Sequence, residues 1–116
     1  MFRDLGNPPL GPFTEGEKTN PIDSALMATS GALALAGNYE VIATIGASAP
    51  AHFALERRNV ADDANVGNVP IIYGPAGQHG QYRFLFHVEI GERLRVIMDD
   101  ALTGSAAVTL NLEKLT

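Results

Sequence analysis

Residues 81–89 read QYRFLFHVE, and this stretch narrows the fold more sharply than any other. Tyr82, Phe84, Phe86 and Val88 fall on one side of a period of two, with Arg83, Leu85, His87 and Glu89 on the other. Successive side chains of a strand point to opposite faces, so the pattern is a strand with one face in a core. The rhythm recurs along the chain. In NYEVIATIGAS the inward set is Tyr39, Val41, Ala43 and Ile45; in AHFALERR it is Ala51, Phe53 and Leu55. RLRVIMDD gives Leu94, Val96 and Met98, and AAVTLNLEKL gives Val108, Leu110 and Leu112.

Gly, Asn, Asp and Pro punctuate these runs at the spacing of an all-β protein. VPIIYG is a short strand in which Pro70 indicates an edge or an end. LMATSGALALAG, Leu26 to Gly37, is read as two short strands around Thr29, Ser30 and Gly31. About seven or eight antiparallel strands in roughly 90 residues fit a two-sheet sandwich. An immunoglobulin-like arrangement has a similar strand count, but Cys and Trp are both absent. The expected fold is therefore all-β, a two-sheet antiparallel β-sandwich of jelly-roll type over residues 25–116.

Residues 1–24 have a different texture. They hold Pro8, Pro9, Pro12 and Pro21 together with Gly6, Gly11 and Gly16, a composition that starves helix and sheet of backbone hydrogen bonds. Their apolar side chains, including Phe2, Leu5, Leu10 and Phe13, follow neither strand nor helix period. The expectation is an extended N-terminal arm, with those four as anchors on a partner.

Composition closes off several functions. Thirteen acidic against eight basic residues give a formal net charge of -5, which repels nucleic-acid backbones and anionic membrane surfaces. Without cysteine there is no disulfide, thiolate metal site or cysteine nucleophile. No apolar run approaches the roughly 20 residues of a membrane helix, and the N-terminus lacks a secretory profile. GxSxG and GxxxxGK[ST] are both missing, so no enzymatic activity and no cofactor are expected.

The remaining candidates carry bland readings too. His52, His79 and His87 fit no metal-ligand spacing and read as solvent-facing. Asp62 with Asp63, and Asp99 with Asp100, could offer oxygens to calcium but read as turn residues. GPAGQHGQY has a Gly-X-Y period too short for collagen. Tyr73 is the one candidate platform for stacking a sugar. Arg57, Arg58, Arg83, Arg93 and Arg95 are expected to pair with Glu40, Glu56, Glu89 and Glu92 on neighbouring strands rather than to form a basic stripe. Ile42, Leu85 and Ile97 are apolar on faces opposite the core series, which points to a homo-oligomer interface that His87 joins as a pH-sensitive contact.

The run from Ala51 to Leu115 contains "RRN…AN.G", then "YGPAGQ" before the aromatic strand, then "GERLRV.MDDALTGSAAV". This pattern resembles small virion proteins of tailed bacteriophages that decorate heads or end in fibre knobs. The resemblance implies a trimeric jelly roll at local three-fold positions on the capsid surface, made in the host cytoplasm. It also implies an N-terminal arm lying over the major capsid protein, and a cement role without catalysis. The alternative is an adhesin-like sandwich at a fibre tip that binds a carbohydrate or receptor. A cupin-like metal enzyme built on His52 or His87 is the weakest of the three.

Overall fold

The computed structural model describes residues 8–74 and 79–116, with His79 described through its backbone alone. The chain runs through β1 (Leu10–Phe13), β2 (Lys18–Thr19), β3 (Leu26–Thr29), β4 (Gly37–Ala47), β5 (Ala51–Arg58), β6 (Asn65–Tyr73), β7 (His79–Val88), β8 (Arg93–Met98) and β9 (Ser105–Lys114). No helix occurs among the described residues. One sheet is ordered β1-β9-β4-β7, with β2 also on β9; the other is β3-β8-β5-β6.

The pairing is nested. The β5–β6 hairpin is innermost; outside it β4 pairs β7, then β3 pairs β8, and finally β1 and β2 pair β9, all antiparallel. Successive pairs alternate between the sheets, so the chain is one long hairpin wound around a core. That winding makes the molecule a two-sheet antiparallel β-sandwich.

The inward sets fill the space between the sheets. Tyr39, Val41, Ala43 and Ile45 of β4 face Phe53 and Leu55 of β5, Leu94, Val96 and Met98 of β8, and Val108, Leu110 and Leu112 of β9, all buried in one cluster. Tyr82, Phe84 and Phe86 on β7 pack against this core but remain half-buried, because β7 lies at the sheet's edge.

Three expectations need correction. Residues 1–24 do not all lie outside the sandwich: Leu10 pairs with Leu112, Phe13 with Leu110, and Lys18 with Ala106, so the sandwich begins at Leu10. The register shifts between Leu10 and Phe13, and the extra residue lets side chains three apart both pack on the core. Segment 26–37 gives one strand rather than two, after which a loop dips Leu33 into the core. Ile97 is 8% exposed, not outward and free, because on its face it lies between Leu26 of β3 and Ala54 of β5.

Candidate interaction surface

Of the residues expected at an interface, three come together. Asn38 is opposite His87, Glu40 opposite Leu85, and Ile42 opposite Arg83, so Ile42, Leu85 and His87 share the outer face of the β4–β7 ladder. Leu85, at 61% exposed, stands highest on that face. Ile97 belongs to the other sheet.

Charged side chains around Leu85 are held. Arg83 Nη1 lies 3.1 Å from Glu40 Oε1, and His87 Nε2 lies 2.8 Å from Glu89 Oε1 with its Nδ1 3.2 Å from Asn38 Oδ1. The other arginines among the described residues are paired as well. Arg95 Nε meets Glu56 Oε1 at 2.6 Å, while Asn65 Nδ2 donates to Glu56 Oε2 at 2.6 Å. Arg58 donates to Asn65 and Asp62, and Arg93 lies 3.7 Å from Asp62. Arg57 Nε is 3.0 Å from Glu92 Oε1, and its Nη1 donates to the His87 carbonyl at 2.9 Å. Hydrogen bonding from Arg58 holds the Asp62 carboxyl below the ordinary aspartate value; desolvation opposes this, and the charges of Arg93, Arg58 and Arg95 add to it. The surface is therefore a paired one, not a basic stripe.

Loops cluster at the two ends of the sandwich. At one end, loop 20–25 meets loop 99–104 through Asn20 N to Gly104 O (2.6 Å) and Leu102 N to Pro21 O (3.0 Å), and Ile22, Asp23, Asp99 and Asp100 are exposed there. At the other, loop 30–36 meets loop 89–92 through Gly91 N to Leu33 O (2.8 Å). A Cβ on Gly91, where φ is +86, would lie 3.3 Å from both methyls of Val60, so loop 59–64 joins the same end. Leu35, Val60, Val66 and Ile90 are exposed there, among exposed Asp62, Asp63 and Glu89. Pro8 sits at this end too, in an apolar cavity with Leu10, Ala34, Leu35, Tyr39 and Lys114.

Other sequence candidates are placed as follows. Leu10 and Phe13 are half-buried against the core of their own subunit, while Phe2 and Leu5 lie outside the described residues. Tyr73, the expected platform, is 1% exposed: alternation along β6 turns it inward with Ile71 and Val69. His52 and His87 are exposed on different sheets. Among the described residues, no group of three His, Asp or Glu could hold a metal ion. The exposed apolar end was missed in sequence because its members come from separate loops that only the winding brings together.

No family model matches the chain, and no curated protein does. Among solved structures it is similar to BiXyn10A CBM1 in its apo form, with a TM-score of 0.57, 8% identity and 100% of both chains covered. It is also similar to PRD1 vertex protein P5, with a TM-score of 0.47, 14% identity, and 96% of this chain and 90% of that one covered. At 8% identity, the likeness to BiXyn10A CBM1 is one of fold, a β-sandwich.

Proposed function

We propose that this chain is a non-enzymatic structural protein of a virion, a homo-oligomer that decorates the head and docks on the major capsid protein. The observation that carries the reading is a cluster of exposed apolar side chains on neighbouring loop tips. Leu35, Val60, Val66 and Ile90 are exposed at the end of the sandwich where Pro8 lies, interspersed with exposed Asp62, Asp63 and Glu89. Apolar loop tips of this kind suit attachment to another protein, with Phe2 and Leu5 of the preceding residues as further anchors. The resemblance across Ala51 to Leu115 supports the same reading.

The anchors are narrowed. Leu10 and Phe13 are engaged by β9's neighbourhood, so attachment rests on Phe2, Leu5 and the loop tips. The sugar-binding alternative loses its candidate platform, since Tyr73 is buried. The test is co-sedimentation with heads of the encoding virus assembled without this protein. Removing residues 1–9, or placing Asp at both Val60 and Ile90, should abolish binding while the isolated protein stays folded. Full binding by both variants would overturn the reading.

A further inference from the structure

We infer that two copies of this chain join through their β7 strands, edge to edge and antiparallel, so that the five-stranded sheet continues across a two-fold axis at Leu85. This goes beyond the virion reading and does not depend on it.

A sheet edge exposes a row of backbone donors and acceptors, and proteins that stay single guard such rows with short strands, bulges, prolines or lysines. Three edges of this sandwich are guarded. β1 is four residues long with Pro12 and a register shift, and β2 has two residues. β3 is four residues with a register shift. β6 carries Pro70, and the β5–β6 register shifts at Arg57 and Arg58. β7 has none of these: it is ten residues long, without proline or lysine, and its register with β4 is unbroken from Gly37–Val88 to Gly46–His79. Its one strongly basic side chain, Arg83, is drawn aside onto Glu40.

A second copy fits this edge by its own chemistry. Pairing centred on Leu85 sets the two exposed leucines opposite each other. Phe84 then falls opposite Phe86 of the other copy, covering aromatic rims that the core leaves half open, and cross-strand aromatic pairs stabilise sheets. Arg83 falls opposite His87 and diagonal to Glu89 of the other copy, so each Arg83–Glu40 pair lies against a His87–Glu89 pair with opposite charges adjacent. The His87 carbonyl, which accepts from Arg57, keeps a second lone pair for the new ladder. An isologous contact of this kind closes on itself and leaves no β7 edge free.

Sedimentation equilibrium of the full chain tests the contact. The wild type should sediment at twice the chain mass, Leu85→Lys at the chain mass with its circular dichroism unchanged, and Ile72→Lys, equally prominent but on guarded β6, at twice the mass. A wild type of one chain or of three, or a Leu85→Lys variant still at two, would overturn the contact. Should Leu85→Lys fail to fold, amide exchange of the wild type decides: protection at Arg83 and Leu85 must rise with protein concentration, and protection independent of concentration rejects the pairing.

Discussion

Two tyrosines in one core show how a single hydroxyl decides the sign of a substitution. Tyr39 Oη donates to the Leu35 carbonyl at 2.6 Å and so ties the β3–β4 loop to β4, whereas Tyr73 Oη is buried without a hydrogen-bond partner among the described residues. Tyr39→Phe should cost about 1 kcal/mol, and Tyr73→Phe should be neutral to about 1 kcal/mol stabilising, as read from urea midpoints. Burial pushes the Tyr39 phenol above the ordinary tyrosine value, with the Lys114 charge opposing. The unfolded chain therefore loses this proton first. Stability from Tyr39 is fully present below pH of about 10 and is lost as pH rises through the folded value; Tyr39→Phe should flatten that alkaline decline. Carboxylates divide in the same way. Glu56 is 4% exposed and holds both Arg95 and Asn65, so Glu56→Ala leaves the half-buried Arg95 without its carboxylate and should cost about 1 to 2 kcal/mol. Glu40→Ala breaks only the exposed Arg83 pair and should stay within about 0.5 kcal/mol.

At the scale of elements, β1 separates what the chain's pattern reveals from what it hides. Gly11 has φ of +111, and a Cβ there would sit 2.7 Å from the Leu110 carbonyl oxygen, so β1 lies directly on β9. Gly11→Ala should lower stability by about 2 kcal/mol, through both backbone strain and that contact. Removing residues 1–9 should leave the melting temperature unchanged, while removing 1–19 should lower it sharply by stripping one side of β9. β4, β5, β7, β8 and β9 were legible because each places apolar residues at alternate positions, and those residues lie in or against the core. β1 was not, because its register shift breaks the period just where prolines and glycines already argued for an arm. Tyr73 was legible in principle, since alternation with Ile71 turns it inward. That Ile42 and Leu85 lie on the faces opposite the core followed from alternation; that their strands are neighbours did not, nor did the burial of Ile97, because both depend on strand order.

At the scale of the molecule, the exposed apolar loop tips gathered at one end and, among the described residues, a single unguarded edge both come from the winding rather than from any one segment. β9 is central to that winding: it fills the gap between β1 with β2 on one side and β4 on the other. A chain stopped at Gly104 should therefore remain unfolded by circular dichroism, and a peptide of residues 105–116 should restore the native signal when added. Synthesis makes the gap matter in time. The ribosome delivers β4 and β7 well before the strand that must lie beside β4, so the nascent protein holds an unfinished sheet until β9 has emerged. Folding of this sandwich is thus keyed to the arrival of β9, which acts as its latch.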